Sequence, residues 1–128
     1  MKYYFDKTLT CSFEEAIERV TKELKKEGFG ILTEIDVQAT LKKKLDVDFR
    51  KYRILGACNP SFAHKALQAE LQIGSMLPCN VVVMEKDDGK INVSAVDPLS
   101  SMMAVGNKNL NVVVKQIQEK LKTVINNL

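Results

Sequence analysis

A chain of 128 residues fits one domain, large enough to bury roughly two-thirds of its unfolded surface without disulfide staples. Apolar residues make up 45% and charged residues 27%, the balance of a globular chain, which excludes a disordered or linker-like one. The net charge of +3 is small, and the basic runs Lys25-Lys26 and Lys42-Lys43-Lys44 are followed by Glu27 and by Asp46 and Asp48, so both read as solvated faces and no nucleic-acid partner is expected.

Residues 2–10 read as a strand, with Tyr3, Phe5 and Leu9 apolar and Thr8 and Thr10 suited to a pleated surface. Ser12-Phe13-Glu14-Glu15 is a capping box. It opens a helix whose stripe is Phe13, Ala16, Ile17, Val20 and Leu24, and Gly28 closes it. Residues 30–37 alternate, placing Ile31, Thr33, Ile35 and Val37 on one face and Leu32, Glu34 and Asp36 on the other. Residues 39–45 make a short helix through Leu41 and Leu45, and residues 51–57 return to strand.

Asn59-Pro60 starts the next helix, with Asn as cap and Pro at the first helical position. The inner stripe of this helix is Ala63, Ala66 and Leu67, small enough for close approach to a sheet. It ends near Ala69 or runs on to Gly74. Cys79 to Glu85 is the clearest strand, and its run Val81-Val82-Val83-Met84 has the pattern of burial on both faces. Asp87-Asp88-Gly89 is a hairpin turn leading to a partner strand over 90–96. A Met-containing connection over 97–106 precedes a helix from about Asn109 to Asn126, striped by Leu110, Val113, Val114, Ile117, Leu121 and Ile125. The order is strand, helix, strand, strand, helix, strand, strand, helix, with the short helix inserted between the second and third strands. It predicts an α+β two-layer sandwich, with helices on one face of a mostly antiparallel sheet and no internal domain boundary.

Much familiar chemistry is missing. No Gly-rich phosphate loop, no G-x-S-x-G elbow and no C-x-x-C occurs, and there is a single histidine. The residues Met1 to Asp6 lack a signal-peptide core, and no apolar run approaches the roughly 20 residues of a membrane span. Three cysteines, Cys11, Cys58 and Cys79, make no disulfide framework and suit a reducing compartment. A cytoplasmic protein without membrane contact is expected.

Two segments stand out: Leu55-Gly56-Ala57-Cys58-Asn59-Pro60 and Leu77-Pro78-Cys79-Asn80-Val81. Each puts a Cys-Asn pair where a strand meets a connection. If these strand ends share one edge, two thiols, two amides and a helix N-terminus converge, a setting for a small molecule, an anion or a thiolate. The plain alternative is packing: cysteine is often a small core hydrophobe, Asn59 is accounted for as a cap, and Asn80 can satisfy backbone groups.

The candidate ligand-binding residues are therefore Cys58, Asn59, His64, Cys79, Asn80, Glu34 and Glu70. Any metal would fall to Cys58 and Cys79, and no cofactor is named. His64 lies at the edge of its helix's apolar stripe, and Glu70 joins that stripe if the helix continues. Glu34 and Asp36 matter if their strand face looks into the helices, and are ordinary if it looks to solvent. A non-enzymatic binding or homodimeric interaction module ranks first. Soft-metal binding or redox sensing through the thiols is the alternative, and carboxylate acid–base catalysis by Glu34 or Glu70 ranks last.

At these segments the chain resembles the bacterial and archaeal family called domain of unknown function 302. The resemblance rests on Gly30-Ile31-Leu32 leading to Asp36-Val37, and on Tyr52-Arg53-Ile54-Leu55-Gly56-Ala57-Cys58-Asn59-Pro60. It continues through Ala63-His64-Lys65-Ala66-Leu67, Ile73-Gly74 and Leu77-Pro78-Cys79-Asn80-Val81-Val82-Val83. It implies helices packed across a curved antiparallel sheet, in agreement with the element order, and a homodimer. It implies no activity. Leu71 stands where many relatives carry proline, which bears on where the second helix ends.

Overall fold

The computed structural model describes residues 2–128. Five strands form one sheet: β1 (Tyr4–Leu9), β2 (Gly30–Asp36), β3 (Tyr52–Cys58), β4 (Cys79–Glu85) and β5 (Ile91–Val96). Their spatial order is β1-β5-β4-β3-β2, and every neighbouring pair is antiparallel. The helices are α1 (Phe13–Lys26), α2 (Val37–Leu45), α3 (Pro60–Ala69), α4 (Pro98–Met102) and α5 (Asn111–Asn126). The α+β sandwich expected from the element order is what forms, and α4 occupies part of the expected connection over 97–106.

Local chemistry explains the element ends. The Ser12 hydroxyl accepts from the Glu15 N–H at 3.1 Å, starting α1. At the other end Gly28 takes φ +85, its N–H bonds to the Lys25 carbonyl, and the Phe29 N–H reaches back to the Leu24 carbonyl. This double closure satisfies carbonyls the helix would leave open, and Phe29 packs beside Leu24 in the core. In the hairpin, Gly89 takes φ +83 and donates to the Lys86 carbonyl.

The core sits between α1, α5 and one sheet face. Val20, Leu24, Val81, Val93, Leu121 and Val124 are fully buried there, each worth about 1.5–3 kcal/mol of transfer free energy. Register partners share a face, so Ala57, Cys79 and Ile31 point to the helices, as do Leu55, Val81 and Ala95. A second, smaller cluster of Ala66, Ile73, Leu110 and Val114 lies under α3, the 3-10 turn Leu71–Met76 and α5.

Four expectations are corrected. First, β4 is buried on one face: Val81 and Val83 face the helices, whereas Val82 and Met84 lie half-buried on a sheet face no helix fills. The apolar run therefore marks an open sheet surface. Second, β2 does not alternate regularly. A bulge between Ile31 and Thr33 turns Ile31 toward the helices and Thr33 and Ile35 away. Third, α3 packs on α5 and on the 71–76 turn instead of on the sheet, so its small residues border a gap. Fourth, Asn59 occupies the cap position without capping. Its amide instead donates to the Glu27 carbonyl at 3.1 Å, tying the start of α3 to the end of α1.

Candidate functional site

The gap left by α3 is a cavity of about 340 Å³ between the two core clusters. Its sheet-side wall is Ala57, Cys58, Cys79 and Pro78, and its helix-side wall is Phe62, Ala63 and Ala66 from α3 with Val114 and Ile117 from α5. Phe29, Leu77 and Met102 close the ends. Among the described residues, Asn59 is the one amide side chain on the wall, and no charged side chain lines it. The volume lies within the usual range for small-molecule sites, as does an apolar lining with few polar groups.

Cys58 and Cys79 meet here because Ala57 and Cys79 are register partners at the end of two adjacent strands. Both are free thiols. Burial pushes the Cys79 thiol up to about 11, with the neighbouring Cys58 adding to the shift. Such a thiol stays neutral at physiological pH, as an apolar wall requires. Among the described residues no three His, Cys, Asp or Glu side chains come together to hold a metal.

Gly56 shapes the wall from behind. A Cβ there would stand 2.0 Å from Thr33 Oγ1 and 2.7 Å from Pro78 Cγ, so only glycine lets the β2 bulge and Pro78 close on β3. Gly28 is similar: a Cβ would meet Asn59 Nδ2 at 3.0 Å.

The other candidate residues lie elsewhere. Asn80 points to the open sheet face, opposite Cys79. His64 is exposed on α3. Glu70 follows the last turn of α3, which stops at Ala69, and accepts from Asn107 Nδ2 at 3.2 Å. Glu34 and Asp36 do turn toward the helix side, because the bulge shifts their register, yet they sit at the outer strand and remain about half exposed. Arg53 reaches Glu34 at 3.1 Å and Asp36 at 3.4 Å, and its guanidinium lies 5.4 Å from the Phe13 ring centroid. These carboxylates are thus answered by one arginine, and neither Glu34 nor Glu70 lines the cavity.

The family model described as Domain of unknown function DUF302 matches residues 5–128. The chain belongs to this family. Its fold is similar to that of a crystal structure of an uncharacterized conserved DUF302 protein from Bacillus stearothermophilus, at 28% identity with a TM-score of 0.91 and 98% of each chain covered. No curated protein matches it.

In this DUF302 chain the Cys-Asn segments account for the sheet-side wall alone. Phe29, Leu77, Val114 and Ile117 carried no sequence signal for a site, since each reads as an ordinary core residue. Phe62 could have been found: it lies one and four residues before Ala63 and Ala66 on the same helix face, and a large ring beside two alanines marks uneven packing.

Proposed function

We propose that this DUF302 protein is a non-enzymatic binding domain that takes a small apolar molecule in the cavity between β3, β4, α3 and α5. The observation carrying this reading is that the gap separates two packed clusters and is walled almost wholly by aliphatic and aromatic groups. A bare inorganic anion has little to hold it there, because no basic side chain lines the wall. The thiol-dependent alternative draws less support, since Cys79 is held neutral and metal binding or oxidation starts from a thiolate.

An uncharged fluorescent naphthylamine tests the reading. Its emission should rise and saturate with the native protein. Ala66→Leu and Ala63→Leu, which fill the space from α3, should weaken binding at least about tenfold without lowering the melting temperature, because they occupy a void instead of opening one. Absence of saturable binding, or equal binding by both filled variants, would reject the cavity as a site.

A second reading concerns the open sheet face, where a second copy of this chain is the proposed occupant. Tyr52, Ile54, Val82 and Met84 make an apolar half, and Asp6, Thr8, Asn92 and Ser94 a polar half. A two-fold axis running across the strands lays apolar on apolar. Five strands of six or seven residues span about 24 by 20 Å in projection, or about 480 Å² per partner before corrugation, the size of the smaller, dissociable interfaces. The rim charges Lys2, Arg50 and Lys86 balance Asp6, Asp87 and Asp88, which favours a self-complementary partner over a polyanion. Sedimentation should show a dimer that Val82→Glu dissociates. A monomer at 100 micromolar-order concentrations, or a dimer indifferent to Val82→Glu, would remove this reading.

A further inference from the structure

Phe62 joins the cavity to the surface, and two lysines converge on its ring. Lys65 Nζ lies 5.4 Å from the Phe62 centroid and Lys120 Nζ lies 5.8 Å from it. Lys65 stands one turn beyond Phe62 on α3, and Lys120 one turn beyond the cavity residue Ile117 on α5. The two helices therefore bring two ammonium groups to one edge of the apolar space. Among the described residues neither lysine forms an ion pair with a carboxylate. Many other surface lysines are unpaired too; what sets Lys65 and Lys120 apart is that both lie against a ring that lines the apolar cavity.

Each ammonium group is drawn to the ring by its negative face, which gathers two positive charges around a residue of the cavity wall. An anionic group beside the ring would lie within reach of both flexible side chains and gain a charge-assisted contact from each. Immediately inside, the wall carries no charge at all, so an anionic group has no reason to go deeper.

We propose that the ligand is an amphiphile, with an apolar chain or ring system in the cavity and a single anionic head group, such as a carboxylate, held at the Phe62 edge by Lys65 and Lys120. This rests on the cavity being a binding site, and adds the chemical class of what enters. Such a ligand combines features that each wall lacks alone: the interior supplies binding area without direction, and the lysine pair fixes which end points outward. The exposed location sets the size of the effect. Charge pairs at a surface contribute modestly and are screened by salt, so each lysine is expected to change affinity several-fold, with most of the affinity coming from the buried chain.

The experiment compares decanoate, decanol and decyltrimethylammonium, titrated by calorimetry or by displacement of the naphthylamine. Decanoate should bind about tenfold more tightly than decanol at low salt, and the cation most weakly. Lys65→Gln and Lys120→Gln should each weaken decanoate about three- to fivefold and leave decanol unchanged, and 0.5 M-order salt should erase the difference. Neither lysine packs in the core, so both variants are expected to keep the native melting temperature. Equal binding of decanoate and decanol, unmoved by either substitution or by salt, would overturn the head-group assignment while leaving the cavity reading intact. Failure of all three probes to bind would instead overturn the cavity reading on which the assignment rests.

Discussion

Cys79 offers the sharpest quantitative test of how the cavity wall works. The residue is 7% exposed, and burial, with Cys58 beside it, lifts its pKa from 9.0 to about 11. At pH 7.5 an ordinary thiol is about 3% ionised, and one with a pKa near 11 about 0.03%, so ionisation alone should slow alkylation about a hundredfold. The same shift makes stability depend on pH. The folded-state pKa is the raised one, so the contribution is fully present below pH 9 and is lost as pH rises through 11. Above pH 9 the unfolded chain releases the proton that the folded chain retains. Two pH units correspond to about 2–3 kcal/mol. Urea denaturation of wild type and Cys79→Ala at pH 8 and pH 11 isolates this effect, because lysines and tyrosines titrating in the same range are common to both. The wild type should lose about 2–3 kcal/mol relative to the variant across that interval, whatever fixed cost the truncation carries. A pH-independent difference, together with alkylation of Cys79 at the rate of an unstructured cysteine peptide, would refute the neutral-wall argument.

Further consequences follow from named contacts. Gly56→Ala forces apart β2, β3 and Pro78 and should cost about 1–3 kcal/mol, lowering the melting temperature by about 4–11 °C. Adding Thr33→Ala should recover part of this, because it removes the atom at 2.0 Å and leaves Pro78; no recovery in calorimetry would disprove the clash. Asn59→Ala leaves the Glu27 carbonyl unpaired beneath α3 and should cost about 1–2 kcal/mol, read from urea midpoints, with an unchanged midpoint counting against the tie. Ser12→Ala removes the α1 cap for about 1 kcal/mol, and a loss below a few tenths would mean the cap is replaced by solvent. Arg53→Met should cost under about 1 kcal/mol and less in high salt. A larger, salt-independent loss would show that its packing on Phe13 outweighs its ion pairs.

Some of the candidate site was written in local residue order. Cys58 and Cys79 were placed together because both follow from where a strand ends, and strand ends are marked by Pro60, by Pro78 and by the apolar runs beside them. Asn80 was not separable from Cys79 on sequence. Consecutive strand residues point to opposite faces, so the second Cys-Asn pair had to be split between cavity and open face, whichever way the register fell. Glu34 and Asp36 could be read either way, because the bulge that turns them depends on Gly56 opposite, about twenty residues distant. The cap role expected of Asn59 failed for a related reason. Its amide found the Glu27 carbonyl from another helix, a partner no local pattern contains.

What the sequence determined alone was the order of the five strands and the longer helices, and most of their ends; the end of α3 and the existence of α4 were left to the fold. Caps, glycine closures, the Asp-Asp-Gly turn and apolar spacing act within a few residues, and these local preferences agree with one another. What the tertiary structure decided was which faces are filled. Val81 to Met84 read as doubly buried until the helices proved to cover one side, and the alanines of α3 read as a close contact until that helix settled on α5. Burial is settled by the packing of distant elements, whose combined shape leaves one sheet face open and one apolar gap unfilled. Hydrophobic spacing along the chain specifies that a residue leaves water, but the neighbour that displaces the water is chosen by the fold as a whole.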